Sequence, residues 1–314
     1  MQFKTCFKKT LICIFFFVIF SEKNLYSLEN KIILKIDNEI ITSLDIENEV
    51  RYLKALNPKI NNLDKKKINL IGKNSLIREK IKKKEILKYI DQIKLEKKYL
   101  DQLIKNRYSV LNLETKEKFL QYLKNYQVDI NVIEEKITIE ALWNQIIYSK
   151  FSSKLKIDKE SLRKEIKKTI NKKTKSYLLS EIIFNISDKK NLDNKYKEIK
   201  NVILNDGFES AALAYSISNT SELGGKLGWI NEDSLNQKIK KKLTNLNKEE
   251  ITKPIFTNNG YLILKIKDIR LIKKNFDEEK QLNKLIQFKT NQQLNQYSNN
   301  YFNKIKKDTN INEF

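Results

Sequence analysis

The chain has no histidine among its 314 residues, which removes the commonest general base and the commonest zinc ligand together. Ser-His-Asp chemistry and histidine-held zinc sites therefore lose their usual residues. Its two cysteines, Cys6 and Cys13, both stand close to the start. If that segment is removed, no thiol is left for nucleophilic attack, a disulfide or thiolate metal ligation. Proline occurs twice, glycine six times, and only five of the 62 basic residues are arginine. Any chemistry is left to carboxylates, hydroxyls, lysines and the backbone.

What is present in excess is lysine. The formal net charge is +23, a value that ordinarily raises nucleic acid or an anionic membrane as partner. Here the excess comes as lysine, with abundant asparagine and isoleucine, and reads as a solvated coat on permissive surface positions. No nucleic-acid partner is expected. The sequence also offers no metal or cofactor constellation. Neither the Gly-Lys-Ser/Thr ending of a phosphate-binding loop nor G-x-G-x-x-G spacing occurs.

Lys4, Lys8 and Lys9 precede ten uninterrupted apolar residues, Leu11 to Phe20, and then Ser21-Glu22-Lys23-Asn24. This is the layout of a secretory signal, expected over 1–27 with cleavage after Ser27. A spanning helix needs about 17–25 apolar residues, so the run is short for an anchor. An inner-membrane-anchored form facing the periplasm is the alternative.

Past this segment, Ile32–Ile36 and Ile40-Ile41 flank Asp37-Asn38-Glu39 as a strand pair, and Thr42-Ser43-Leu44-Asp45 matches a capping box for a helix that Pro58 stops. Helical spacing then runs from Lys65 to Ile170, through Ile77, Ile81, Ile86, Ile90 and Ile93, with breaks near 112–115 and 127–129. After the basic spacer 167–173, a strand is expected over Tyr177–Phe184. Helices follow over 192–206, 208–215 and 235–243, with the last strand over Gly260–Ile266. Gly207 suits a helix end. The tail from Phe276 to Ile305 is amphipathic, so its apolar side should pack on another part of the chain.

The most telling residues are Gly224-Gly225-Lys226-Leu227-Gly228-Trp229, Lys253-Pro254-Ile255-Phe256-Thr257 and Gly260-Tyr261-Leu262-Ile263. Together with Ser180-Glu181-Ile182-Ile183-Phe184 they resemble the core of parvulin-type (PpiC-type rotamase) peptidyl-prolyl isomerases. In addition, Lys35-Ile36-Asp37-Asn38-Glu39-Ile40-Ile41-Thr42 and Asn74-Ser75-Leu76-Ile77-Arg78-Glu79-Lys80 resemble the N-terminal domain of SurA-type periplasmic chaperones. The resemblance implies an α+β fold. A mostly helical module over 28–171 would be completed by a C-terminal helix within 273–314, with a β-α-α-β-α-β parvulin-like domain inserted over 172–272.

The resemblance also implies a site. Its proline-contacting positions fall on Leu227, Leu235, Ile239, Thr257 and Gly260. The family's two histidines fall on Glu181 and Leu262, and the Cys or Asp between them on Ser218. Leu262 has no hydrogen-bonding group. Burial of Glu181 would favour its neutral, donor-capable form, and a hydrogen bond to Ser218 would rebuild a polar site. Alternatively, Glu181 makes a structural hydrogen bond or points to solvent at a sheet edge. The three glycines, too, have a purely structural reading, in which they let the loop bend and Trp229 pack.

Two functions stay open at this point. One is a periplasmic chaperone binding unfolded or nascent outer-membrane proteins, with the outer-membrane assembly machinery as a further candidate partner and the catalytic histidines absent. The other is an active isomerase working through a rebuilt Glu181/Ser218 site. Neither needs a cofactor or a metal.

Overall fold

The computed structural model describes residues 30–168, 173–186, 188–273 and 278–314. The expected signal segment, most of the basic spacer and Phe276 lie outside the described residues. β1 (Ile32–Ile36) and β2 (Glu39–Thr42) form an antiparallel hairpin. Asp37 at its turn adopts φ 51°, a left-handed conformation that a short polar side chain tolerates. Thr42 then caps α1 (Ser43–Leu56) through the reciprocal box, its amide donating to Asp45 Oδ2 at 2.8 Å and Asp45 N to Thr42 Oγ1 at 3.3 Å. Pro58 opens a short 3₁₀ turn, where its missing amide costs nothing.

Five helices follow: α2 (Lys65–Ile86), α3 (Lys97–Val110), α4 (Lys116–Asn125), α5 (Ile130–Phe151) and α6 (Lys159–Lys168). The breaks at 112–115 and 127–129 fall between helices, as expected, but helical spacing through Ile90 and Ile93 misleads. Residues 90–96 form a non-helical connection. Ile90, Ile93 and Leu95 pack on the same core, around fully buried Trp143, that a helix would have reached. Spacing alone does not separate the two cases.

The sheet of the second half has the order β4-β3-β6-β5, built from β3 (Lys173–Phe184), β4 (Lys226–Asn231), β5 (Ile255–Thr257) and β6 (Gly260–Lys273), all antiparallel. Two corrections to the expected order follow. β6 runs well past Ile266, because β3 begins earlier and pairs with it along its whole length. The Pro254 segment is itself a strand, β5, closed against β6 by a tight turn. α7 (Leu192–Asp206), α8 (Phe208–Tyr215) and α9 (Gln237–Thr244) complete this half. Gly207 between α7 and α8 has φ 88° with an extended ψ of 163°, a sharper break than a left-handed cap. α9 starts later than Leu235 because Asn236 is its cap, accepting from Ile239 N at 2.9 Å.

α10 (Glu278–Lys307) returns to the first half, where Leu294, Tyr301, Phe302 and Ile305 join the Trp143 core. A last strand, β7 (Ile311–Glu313), pairs with β1 to give a three-stranded sheet, β2-β1-β7, that local pattern did not announce. The architecture is α+β, with helices dominant and two small antiparallel sheets.

The lysine coat needs one amendment. Lys82 and Lys136 lie inside, Lys82 against Glu140 at 2.5 Å and Lys136 against Glu49 at 2.6 Å and against Glu79. Buried cations persist where carboxylates meet them.

Candidate functional site

β3 is the interior strand that carries Glu181, with β4 on one side and β6 on the other. The sheet-edge placement considered for Glu181 is therefore corrected. Alternation along β3 sends Ile182 and Phe184 to one face, against α7 and α8, and Leu179 and Ile183 to the other. Glu181 shares the second face. There it sits opposite Leu264 of β6, while Leu262 sits opposite Ile183.

That face is the apolar half of the site. Ile239 and Leu262 are buried in a cluster with Leu179, Ile183, Leu243, Ile255 and Leu264, and Leu227, Leu235 and Ile217 pack against it partly open. The structure thus brings Leu227, Leu235, Ile239 and Leu262 onto one cluster. Thr257 and Gly260 meet at the β5–β6 turn, where Thr257 Oγ1 donates to the Gly260 carbonyl at 2.8 Å and accepts from Asn259 N at 3.2 Å. Gly260 has φ 116°, and a Cβ there would lie 2.7 Å from the Phe184 carbonyl oxygen. Its role visible here is to close the hairpin.

The polar half comes from the loop between α8 and β4. Ser218 Oγ donates to Glu181 Oε1 at 2.6 Å. Thr220 Oγ1 lies 3.0 Å from the same oxygen and 3.1 Å from Ser218 Oγ, its single proton serving one or the other. Thr220 was not anticipated from sequence, where a threonine two residues past Ser218 carries no distinguishing signal. Ser216 organises the loop, its hydroxyl accepting from Ile183 N at 3.1 Å and Ser218 N at 3.3 Å.

The glycine turn fixes how near this loop comes to β3. Glu181 N donates to the Gly225 carbonyl at 2.7 Å, and a Cβ on Gly225 would fall 2.2 Å from the Glu181 carbonyl oxygen. Only glycine allows that approach. Gly228 differs, since a Cβ there would meet nothing within 4 Å. Trp229 stays 38% exposed with Arg270 stacked on its ring at 4.0 Å.

With this geometry in place, the comparisons bear on identity. Residues 155–268 match the rotamase model, described as a PPIC-type PPIase domain. The chain is 29% identical over 222 residues to Chaperone SurA of Buchnera aphidicola subsp. Schizaphis graminum, covering 69% of this chain and 49% of that protein. It is 37% identical over 95 residues to Chaperone SurA of Buchnera aphidicola subsp. Acyrthosiphon pisum, covering 30% and 21%. This is a SurA-type chain with a PpiC-type domain. It spans about half the length, or less, of these curated relatives. Among solved structures, one described among the SurA-like chaperones PEB4 and Cj1289 of Campylobacter jejuni aligns over 91% of this chain and 100% of its own, at 16% identity and TM-score 0.36. Peptidylprolyl isomerase PrsA from Bacillus anthracis aligns over 74% and 94%, at 20% identity and TM-score 0.31.

In the PpiC-type domain Glu181 is partly buried, and desolvation of its carboxyl pushes its pKa up from the usual carboxylate value, against the opposing pull of the Ser218 and Thr220 hydroxyls. No cation is among the causes of the shift. The arrangement is a carboxyl biased towards its neutral form, with Oε1 held by two hydroxyls, next to an apolar surface. A protonated carboxyl so held is a hydrogen-bond donor in a poorly hydrated place. Among the described residues no cluster of acidic side chains suited to a metal ion occurs, and no helix is long and apolar enough to cross a membrane.

Proposed function

We propose that this SurA-type chain is a folding chaperone of the periplasm that captures unfolded outer-membrane proteins, and that its PpiC-type domain retains a weak X-Pro isomerase site without either histidine. The observation that carries the chaperone reading is the open edge of the first sheet. Among the described residues β2 has one strand neighbour, and Ile40 on it is 49% exposed. Leu44 of α1 is also exposed, and a mostly polar cleft of about 180 Å³ lies alongside, where Ile41, Leu76 and Val132 stand among charged residues such as Glu79, Lys80 and Lys136. An extended client can add a strand to such an edge and lay apolar side chains on the exposed Ile40 and Leu44. Outer-membrane strands, with alternating apolar residues, suit it. The basic start followed by ten apolar residues supports export, and the assembly machinery of the outer membrane is the partner to which such clients would pass.

The test is light scattering of a urea-unfolded outer-membrane β-barrel protein diluted into buffer with and without the chain. Suppressed scattering is expected. Ile40→Lys should weaken capture about fivefold, for the ~1 kcal/mol carried by burying half an isoleucine. Unchanged scattering with the unsubstituted chain overturns the reading.

The isomerase reading rests on the Glu181–Ser218–Thr220 cluster beside Leu227, Leu235 and Ile239. Rotation about an X-Pro bond needs no covalent step, only an apolar seat for the ring, exclusion of water and a donor better placed for the twisted amide than for the planar one. The cluster supplies the donor and the apolar face supplies the seat.

A further inference from the structure

The two hydroxyls of the polar cluster sit on a loop that is gripped from the other module. Arg78, midway along α2, donates from one guanidinium nitrogen to Ser221 Oγ at 2.7 Å and from the other to the Ser216 carbonyl at 3.1 Å. The first nitrogen also stands 3.5 Å from the Ser218 carbonyl, a long contact. These acceptors bracket Ser218 and Thr220. Arginine ordinarily seeks a carboxylate, whose planar pair of oxygens matches its fork. Here, among the described residues, the guanidinium's hydrogen bonds all go to neutral oxygens of this one loop, on serines that are themselves buried.

Neighbouring contacts point the same way. Asn57, at the end of α1, donates through Nδ2 to the Glu222 carbonyl at 2.6 Å. Asn219 Nδ2 reaches Ser298 Oγ of α10 at 3.3 Å, and that hydroxyl also accepts the Trp143 indole N–H at 2.8 Å. Leu213 of α8 is buried in the core of the helical half, and Lys67 pairs with Asp206 at 2.8 Å. One face by which the PpiC-type domain rests on the helical half is therefore the face that bears the site loop. Within its own domain the loop is tied at both ends, by Ile217 N to the Ile183 carbonyl at 2.7 Å and Gly225 N to the Thr220 carbonyl at 2.8 Å. Its middle is held by Arg78.

We infer that Arg78 is a positioning residue for X-Pro isomerisation, holding the 216–221 loop so that the Ser218 and Thr220 hydroxyls reach Glu181, and that the site is complete only while the PpiC-type domain rests on the helical half. The inference builds on the isomerase reading above. Arg78 lies on the helical half and acts through the loop. Misplacement of catalytic groups by about 1 Å is enough to cost on the order of a hundredfold in rate.

The experiment compares the parent chain with Arg78→Ala, Arg78→Lys and Ser221→Ala, each checked for folding by circular dichroism, in a protease-free X-Pro isomerisation assay. The expected result is a fall in kcat of about tenfold or more for Arg78→Ala with KM held, since the apolar seat is untouched. Arg78→Lys should restore part of the loss, one ammonium reaching one acceptor where the fork reached several. Ser221→Ala removes the shortest of these contacts while keeping the arginine, and gives a smaller loss in kcat should Arg78→Ala fail to fold. Suppression of client aggregation should be the same in all four. A folded Arg78→Ala or Ser221→Ala chain with parental kcat overturns the positioning role alone. No acceleration by the parent chain overturns the isomerase reading, and the positioning role with it.

Discussion

Gly225 and Gly228 share a positive φ and differ in what surrounds them, so alanine at each separates torsional strain from collision. Their φ values are 75° and 80°, a region where an L side chain costs about 1–2 kcal/mol. At Gly228 that is the whole cost, because a new Cβ meets nothing within 4 Å. At Gly225 the Cβ would lie 2.2 Å from the Glu181 carbonyl oxygen and 3.2 Å from the Ala212 Cβ. A strand oxygen cannot rotate aside, so the turn must draw back and break the 2.7 Å bond from Glu181 N to the Gly225 carbonyl. Leaving that pair unmade in a buried place adds about 1–3 kcal/mol. Gly225→Ala should then cost about 2–5 kcal/mol and Gly228→Ala about 1–2. With a urea slope of about 2 kcal/mol per molar, the midpoints should fall by about 1–2.5 M and about 0.5–1 M respectively, read by far-ultraviolet circular dichroism. Equal midpoints for the two variants would refute the reasoning.

Four further outcomes follow from named contacts. Burial raises the folded-state pKa of Glu181 above its unfolded value, so the folded state keeps a proton that the unfolded state has released. Stability should therefore decline as pH rises from the ordinary carboxylate range to the raised value and level off above it, a slope that Glu181→Gln removes; identical pH–stability curves would contradict the burial. Isomerisation should weaken over the same pH rise and become pH-independent in Glu181→Gln, whose amide keeps both acceptor and donor. Lys136→Met leaves Glu49, 2% exposed, without its cation and should destabilise by about 3–5 kcal/mol in urea unfolding. In Asp45→Ala the capping box is lost and about 1 kcal/mol with it, seen as a small shift of the same midpoint.

Local chemistry made much of the fold legible. The Thr42–Asp45 box, the stop at Pro58, the breaks at 112–115 and 127–129 and helix Phe208–Tyr215 all depend on a few adjacent residues, and such signals survive in any tertiary setting. What stayed hidden depends on partners distant in sequence. β7 exists because β1 offers it an edge, and β6 is long because β3 is. The 90–96 connection imitates helical spacing because its isoleucines are drawn to the Trp143 core. At the site, the glycine turn and the Glu181 position could be read from motif resemblance. Thr220 could not, and neither could the grip of Arg78, although an arginine in a chain whose cations are nearly all lysine was a faint pointer. The two lysines drawn inside among carboxylates were equally invisible to composition.

The measurement that tests the account most directly is protease-free X-Pro isomerisation by the unsubstituted chain beside Leu227→Ala and Ser218→Ala. The account predicts a small acceleration over background that both substitutions abolish, one by opening the apolar seat and the other by releasing Glu181. A rate equal to background from a folded chain, or an acceleration that both variants keep, would contradict it.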